Sequence, residues 1–252
     1  MTISVAQAQL FFLAFTRIMA IIIHVPVFGG QAIPSQVRIG LGLIFAFVLI
    51  PWQPLSPEAV AIGTFTFGLA IGKEILIGTI IGFAADLAFG AIQIAGSAMG
   101  MGSGFESSRI FNPSLGDSGS AFDQIFVMTA TMIFLVINGH HLVLIAIQNT
   151  FEVVPLNGSL PFDGMQSLLK ATSVFIAAGI HMAMPVIAAL ILTDLTLGLL
   201  ARVAPQVQVY FLGLPVKVVV ALIAMGMTFA AILPYLSSLF KNMAESMIAF
   251  VN

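Results

Sequence analysis

The sequence predicts an all-α, integral membrane-type helical protein built from kinked long helices and helical hairpins. Hydrophobic residues make up 60% of its 252 residues and charged residues only 7%, whereas a soluble domain carries roughly a quarter charged residues. The mean hydropathy is +1.12. Apolar stretches of helical length alternate with turns rich in proline and glycine, as in chains that cross a bilayer several times.

The composition also excludes several classes of function. The formal net charge of −2 is small and no basic tract occurs, so we expect no nucleic-acid partner. The absence of cysteine excludes disulfides, thiolate metal sites and cysteine nucleophiles. The first residues lack a basic n-region and a small-residue cleavage site, so we interpret them as the start of the first helix and not as a signal peptide. The C-terminal tail does not resemble a lipid-anchor signal.

Prolines bound the first two predicted helices. We predict a helix over Val5–His24, which ends before Pro26, and a second helix over Ser35–Ile50. Proline ends a helix because it lacks the backbone N–H and clashes with the preceding turn. After a proline-rich loop, Ser56 fits an N-cap, and Pro57 fits the first helical position.

The longest apolar stretch contains no proline between Pro57 and Met101. As one helix it would measure about 67 Å at 1.5 Å per residue, about twice the thickness of a bilayer core. We therefore expect it either to break near Gly90 or to project beyond the membrane. Glycines spaced four residues apart let helix backbones approach closely and predict packing within the chain or against another subunit. The pairs are Gly68/Gly72, Gly78/Gly82 and Gly96/Gly100.

Further helical segments follow in the second half of the chain. Their predicted bounds are Ala121–Ile137, Leu142–Val154, about Asp163 to Val203, and Pro215 to about Phe240. Asn138-Gly139 ends the first of them. Pro185 and Pro234 lie inside the last two, where a proline is expected to kink a helix.

The basic residues predict an orientation. Arg38 lies beside the first turn, and Arg202 and Lys217 flank the connector 204–214, whereas the loop 51–58 carries neither Lys nor Arg. Cytoplasmic loops of membrane proteins carry an excess of positive residues. We therefore predict that the first turn and the connector face the cytoplasm.

One polar, glycine-rich segment interrupts the apolar sequence. Residues Gly100 to Ser120 read GMGSGFESSRIFNPSLGDSGS. Irregular backbone is excluded from contact with lipid because its N–H and C=O groups would lack partners there. The segment is therefore in water, buried in protein or lining a cavity. From the residues alone, an ordinary loop outside the membrane and a functional element of a cavity both remain open.

Four charged residues fall within the apolar stretches: Lys73, Glu74, Asp86 and Asp194. A charge in hydrocarbon costs several kcal/mol, so such residues usually face protein or water. One interpretation is an ion or solute pathway, which would make the chain a polytopic ion or small-molecule carrier. The interpretation we favour is pairing between helices or with neighbouring subunits, because no internal repeat typical of carriers is found.

Candidate metal-binding and catalytic residues are sparse. His140 and His141 would point about 100° apart on a helix, so they cannot easily share a metal ion. The glycines of the polar segment do not fit a phosphate- or dinucleotide-binding pattern, and nothing around Ser107 resembles a nucleophile elbow. We therefore expect no enzyme, no metal and no cofactor.

Three stretches of the chain carry a more specific pattern. They are PVFGGQAIPSQVRIGLGLIFAF with the preceding arginine, from Arg17 to Phe47, then GFESSRIFNPSLGDSGSAFDQI, and PVIAALILTDLTLGLLARVAPQVQVYFLGLPVK, from Pro185 to Lys217. Together they resemble the FliR family (SctT in injectisomes), the export-gate subunit of type III secretion. The resemblance covers nearly the whole chain and is closer to the flagellar branch. The departure at Gln208, followed by Val and Tyr where many members have Asn-Val/Ile-Phe, is conservative.

The resemblance implies a non-catalytic subunit that assembles with FliP and FliQ into a helical hetero-oligomer around a pore. It implies a place in the bacterial inner membrane, in the flagellar basal body, with FlhB on the cytoplasmic side and unfolded export substrates passing through. Residues 1–174 correspond to a FliP-like region, and residues 175–252 to a FliQ-like helical hairpin with a C-terminal tail. Many apolar faces would then meet subunits and not lipid.

In the FliR family the loop that matches residues 104–122 fills the closed pore as a plug. Glycines would make its backbone pliable, and apolar side chains would block water. The residues to which this role carries over are Gly104, Phe105, Ser107, Ile110, Phe111, Asn112, Gly116 and Gly119. The resemblance also implies a cytoplasmic hairpin bend at Pro205, Gln206, Gln208, Gly213, Pro215 and Lys217.

Overall fold

The computed structural model describes residues 4–30, 33–49, 63–105, 121–156, 165–206 and 208–250. Within these ranges the chain is helical and contains no strand, so the prediction of an all-α fold is confirmed. The helices are α1 (Val5–His24), α2 (Pro26–Gly29), α3 (Ser35–Leu49), α4 (Thr64–Ser103), α5 (Ala121–Val136), α6 (Gly139–Val153), α7 (Met165–Val203) and α8 (Val209–Ala249).

Local sequence chemistry explains both ends of α1. The Ser4 hydroxyl accepts the N–H of Gln7 at 3.2 Å, and the Gln7 side chain accepts the N–H of Ser4 at 2.9 Å. This reciprocal capping box satisfies two of the N–H groups that a helix start leaves without partners. Val25 is extended, and Pro26 begins the short helix α2. The predicted bounds of α1 are confirmed.

Helix α3 packs against α1. It begins at Ser35 as predicted and is described to Leu49, one residue short of the predicted end. From the first turn of α3, the Arg38 guanidinium donates from Nη2 to the carbonyls of Gly30 and Ile33 in the preceding turn, at 3.1 and 3.3 Å. This arginine therefore holds the end of the first turn against the start of α3.

Helix α4 is continuous over 40 residues. At about 1.5 Å per residue it measures about 60 Å. Of the two alternatives that the sequence left open, the break near Gly90 is wrong and the continuous helix is found. A glycine costs a helix only about 1 kcal/mol, and its neighbours Phe89 and Ala91 are buried in the packed interior. The predicted start at Pro57, with Ser56 as its cap, lies outside the described residues.

A left-handed residue separates α5 from α6. Asn138 has φ 58° and ψ 35°, a conformation that asparagine tolerates better than most residues. Helix α5 ends at Val136 and α6 begins at Gly139. The predicted stop at Asn138-Gly139 is confirmed, although α6 begins three residues earlier than predicted, because the chain re-enters the helical conformation directly after Asn138.

The last two helices are long and contain the predicted internal prolines, Pro185 in α7 and Pro234 in α8. The predicted start of α8 at Pro215 is wrong, because α8 begins at Val209. Proline is common at the first helical position but also occurs inside membrane helices, and here it occupies the interior. Helix α8 also continues past the predicted end near Phe240, to Ala249.

The chain forms two compact units, each assembled from separate segments. Unit 1 comprises Met1–Leu87, Asn138–Thr172 and Lys241–Asn252. Its interior is formed by buried aliphatic side chains of α1, α4 and α6. Three buried residues near the C-terminus of the chain also belong to this interior: Met243, Met247 and Phe250.

Unit 2 comprises Ala88–Ile137 and Ser173–Phe240. At its centre three phenylalanine rings from α4, α5 and α8 meet in a triangle. The ring centroids of Phe89 and Phe134 are 6.0 Å apart, those of Phe89 and Phe240 5.4 Å, and those of Phe134 and Phe240 5.1 Å. Such tilted and edge-to-face pairs add to the apolar burial.

In the part of the chain that the structure describes, four helical spans are long and apolar enough to cross a membrane: Val5–His24, Thr64–Ser103, Gln166–Val203 and Phe211–Phe229. A fifth is obtained if α5 and α6 together form one broken span. These lengths and compositions support a membrane location for the chain.

Candidate functional site

The glycine-rich segment leaves α4 at a glycine with a left-handed backbone. The N–H of Gly104 donates to the carbonyl of Met101 at 3.2 Å, and Gly104 has φ 85°. The buried Ser103 hydroxyl donates to the carbonyl of Gly100 at 3.0 Å. A glycine in this conformation directly after the last helical residue is a common helix terminator, because other side chains are strained there. The sequence therefore ends α4 at a defined point.

Two aromatic side chains join the two sides of the segment. The ring centroids of Phe105, after α4, and Phe122, in the first turn of α5, lie 5.3 Å apart in an edge-to-face arrangement. Phe122 is buried, whereas Phe105 is half-exposed. Because these residues flank the segment 106–120, the described residues on its two sides lie close together in space.

A buried carboxylate forms a second connection at the same place. The Ser97 hydroxyl of α4 donates to Oδ1 of Asp123 at 2.9 Å. Asp123 lies in the first turn of α5 and is only 7% exposed. A carboxylate in the first turn is favoured by the positive end of the helix dipole. We call Gly96, Ser97, Phe105, Phe122 and Asp123 the segment base.

The predicted plug residues divide between described and undescribed parts of the chain. Gly104 ends α4, and Phe105 belongs to the segment base. The remaining six lie outside the described residues: Ser107, Ile110, Phe111, Asn112, Gly116 and Gly119.

The predicted glycine pairs have different surroundings within the chain. A Cβ at Gly78 would lie 2.6 Å from the Ala20 side chain, and one at Gly82 would lie 2.8 Å from the His24 ring, so α1 crosses α4 closely there. Among the described residues, a Cβ at Gly68 or Gly72 would have no neighbour within 4 Å. Of the third pair, Gly96 contacts Asp123 and Gly100 is buried.

A buried ion pair in unit 1 joins three helices. The Arg17 Nε of α1 donates to Oε2 of Glu74 in α4 at 2.5 Å, and both side chains are fully buried. The Nη1 of Arg17 donates to the carbonyls of Thr150 and Val154 at the end of α6, at 3.2 and 2.6 Å. The guanidinium carbon also lies 4.7 Å from the centre of the Phe151 ring. Arg17 thus compensates the buried carboxylate and the negative end of a helix at once.

Two other charged residues predicted within apolar stretches also have partners. Nδ1 of His24 lies 2.6 Å from Oδ2 of Asp86, and Nζ of Lys217 lies 2.5 Å from Oδ1 of Asp194. Glu74, Asp86 and Asp194 therefore pair within the chain. This agrees with the interpretation favoured from the sequence, in which the charged residues of the apolar stretches pair between helices. These contacts give the carrier hypothesis no support. Lys73 is half-buried on α4.

The residues of the predicted hairpin bend are divided by the early start of α8. Pro205, Gln206 and Gln208 lie in the connector between Val203 and Val209. Gly213, Pro215 and Lys217 lie inside α8, so their assignment to the bend is corrected. Gln208 directly precedes α8, and its carbonyl accepts the N–H of Phe211 at 3.0 Å.

The two adjacent histidines lie in the first turn of α6. The ring centroids of His140 and His141 are 4.4 Å apart. Over the described ranges, no group of three or more His, Asp or Glu side chains is arranged to hold a metal ion.

Sequence reasoning missed Asp123 and Ser97 as site residues. A signal was present: Ser120 and Asp123 have the spacing of a capping box that begins a helix. That pattern locates Asp123 in the first turn of α5 but does not reveal that its carboxylate turns toward α4.

Comparison with known proteins adds the family. The model of the bacterial export proteins, family 1, matches residues 8–243. The chain is 30% identical over 240 residues to the flagellar biosynthetic protein FliR of Pectobacterium carotovorum, an alignment that covers 93% of this chain and 90% of the relative. The FliR proteins of Escherichia coli and Bacillus subtilis are each 30% identical to it, over 93% and 94% of this chain and 89% and 92% of the relatives. The chain therefore belongs to the FliR family of bacterial export proteins.

Proposed function

We propose that this chain is a non-catalytic subunit of the flagellar type III protein export gate, which forms and plugs the inner-membrane pore for unfolded flagellar proteins. The observation that carries the proposal is the family match over residues 8–243. It makes the chain a component of a bacterial export apparatus. The flagellar names of the relatives and the apolar helices support the flagellar basal body and the inner membrane as its place.

A large apolar surface of unit 2 supports assembly with other subunits. Only 17% of the apolar window Phe211–Phe229 is buried within the chain, against 56% for that of α4. Val203, Phe211 and Met227 are each more than two-thirds exposed, at 82%, 71% and 78%. Lipid or neighbouring helices must cover this surface. We propose FliP and FliQ as the neighbours in a helical hetero-oligomer.

The last two helices support the assignment of a FliQ-like hairpin to residues 175–252, which follows a FliP-like region over residues 1–174. Helices α7 and α8 are joined by a short connector and linked by the Asp194–Lys217 ion pair. We propose that the connector residues Pro205, Gln206 and Gln208 face the cytoplasm, where FlhB would contact them.

The segment base supports a plug role for residues 104–122. A plug must project into a pore and still be anchored beside it, and a segment whose two ends meet at one place has this property. Phe105 and Phe122 bring the two ends together. Ile110 and Phe111 in the sequence between them would supply the apolar bulk that excludes water.

The plug proposal is tested by replacing residues 107–119 with a Gly-Ser linker of equal length. This change keeps the chain length and the segment base but removes the apolar bulk. We expect the gate to assemble normally and to leak ions in the closed state, measured as membrane conductance in cells that express the complete gate. A matched linker at residues 157–163 is the control and should leave the membrane tight. A tight membrane with the 107–119 linker would refute the plug.

The subunit proposal has a separate test. When the chain is co-expressed with FliP and FliQ and extracted in detergent, we expect one particle that contains all three proteins. A lone monomer or dimer that transports a solute after reconstitution would instead support a carrier, and neutralising Glu74, Asp86 or Asp194 would then abolish that transport.

A further inference from the structure

Asp123 is an unusual residue for the start of an apolar helix because its carboxylate is buried. Acidic residues are common in the first turn of helices, where they usually reach solvent. Here the side chain turns toward α4 and accepts the Ser97 hydroxyl at 2.9 Å. Burial of an ionised carboxylate is unfavourable unless donors surround it. The dipole of α5 alone would favour an exposed carboxylate equally well, so it does not account for the burial against Ser97.

Gly96 makes this contact possible. A Cβ at position 96 would lie 2.7 Å from the Cα of Asp123 and 3.1 Å from its backbone nitrogen. Real Cβ atoms do not approach backbone atoms this closely, so any larger residue would push the start of α5 away from α4. Gly90 lies on the same helix and would have no neighbour within 4 Å of an added Cβ. A larger residue would therefore disturb the contact between α4 and α5 at position 96 but not at position 90.

The contact lies at the place where the segment 106–120 begins and ends. Ser97 is in the last two turns of α4, and Asp123 is the third residue of α5. Phe105 and Phe122 form a second contact at the same place, but Phe105 is 37% exposed and belongs to no helix. The Ser97–Asp123 hydrogen bond joins the helices α4 and α5 directly.

We propose that Gly96, Ser97 and Asp123 form a clamp that fixes the separation of α4 and α5 at the base of the plug. Asp123 is then a positioning residue, which holds the anchor points of the plug while the gate is closed. The inference rests on the proposed plug function. It means that α4 and α5 keep a fixed separation on the two sides of the plug.

The clamp itself is tested by a distance measurement that does not depend on export. The chain contains no cysteine, so spin labels on Met101→Cys and Ile125→Cys report one distance across the base. Both positions are exposed, at 62% and 41%. In the assembled gate we expect a narrow distance distribution. Ser97→Ala removes the donor and Asp123→Ala removes the acceptor. Each should raise the fraction of molecules in which α4 and α5 are separated by about 10- to 100-fold, the factor typical of a lost hydrogen bond to a charged group. Gly96→Ala should broaden the distribution, and the matched Gly90→Ala should not.

Closed-state ion leak then tests the role of the clamp, with the 107–119 linker as reference. Broader distances and a raised leak at normal assembly levels support the proposal. Unchanged distances in the variants overturn the proposal. If the variants also fail to assemble while the distances stay unchanged, the three residues have a purely structural role. If distances broaden and only the linker variant leaks, the plug stands and the positioning role is refuted. If the linker variant stays tight, the plug fails, and the distances alone decide whether the clamp exists.

Discussion

The two side chains of the buried Arg17–Glu74 pair should be energetically coupled, so that removing either one alone destabilises the chain strongly. In Arg17→Met the Glu74 carboxylate stays fully buried without its guanidinium, and the carbonyl of Val154 loses the Arg17 donor. The Thr150 carbonyl also loses Arg17 but keeps the backbone N–H of Val154. In Glu74→Leu the guanidinium keeps its carbonyl acceptors but loses its counter-charge.

The expected magnitudes follow from the burial. Removing one partner of a buried ion pair costs about 3–5 kcal/mol, so two independent losses would sum to about 6–10 kcal/mol. The double variant Arg17→Met/Glu74→Leu leaves no charge behind. Its remaining penalty is the Val154 carbonyl, about 1–3 kcal/mol, because the Thr150 carbonyl still accepts the backbone N–H of Val154 at 2.9 Å. The double variant should therefore be clearly more stable than the sum of the single ones predicts.

Thermal unfolding of the full-length chain in detergent, followed by circular dichroism, measures this. About 2–4 °C per kcal/mol is typical for a chain of this size, so each single variant should melt about 6–20 °C lower. Glu245→Leu, which changes an exposed carboxylate on α8, is the control and should stay within about 0.5 kcal/mol. Additive single variants, or single variants that match the control, would refute the assignment of a coupled buried pair.

Three further outcomes are expected in the same assay. Gly78→Ala places a Cβ 2.6 Å from a side chain of α1 and should destabilise the chain by about 1–3 kcal/mol. Gly72→Ala adds a Cβ in open space and should be neutral or stabilise the chain by up to about 1 kcal/mol. Equal effects of the two variants would contradict the close packing of α1 against Gly78. Gly104→Ala puts a side chain at φ 85° and should lower the stability of the chain by about 1–2 kcal/mol. Gly104→Asn should lower it less, because asparagine tolerates the left-handed backbone conformation better than alanine. Lys217→Met removes a partly exposed pair with Asp194 and should cost less than about 1 kcal/mol; a loss like that of Arg17→Met would show that this pair is buried in the folded chain.

Helix ends that depend on local chemistry could be predicted from the sequence. The end of α1 before Pro26 and the break at Asn138 both follow from backbone conformations that neighbouring residues dictate. The continuity of α4 through Gly90 and the interior position of Pro215 in α8 could not. In both cases the local signal is weak, and packing with residues distant in sequence decides the outcome.

Pairing partners were beyond prediction for the same reason. That buried charges face protein follows from their cost in hydrocarbon, but Glu74 lies 57 positions from Arg17 and Val154 lies 137 positions from it. A single sequence does not tell which helices meet. Gly72 and Gly78 likewise occur in identical spacing patterns, yet only Gly78 meets another helix of the chain.

The interleaving of the two units bears on how the ribosome delivers this protein. The closing segment of unit 1 begins at Lys241 and is translated after all of unit 2. Until Met243, Met247 and Phe250 emerge, the interior formed by the first helices lacks three of its buried side chains. Unit 1 therefore cannot be completed during membrane insertion of its own N-terminal half. A nascent chain that stalls before residue 241 would expose that unfinished interior to quality-control proteases, although most of its helices have already been synthesised.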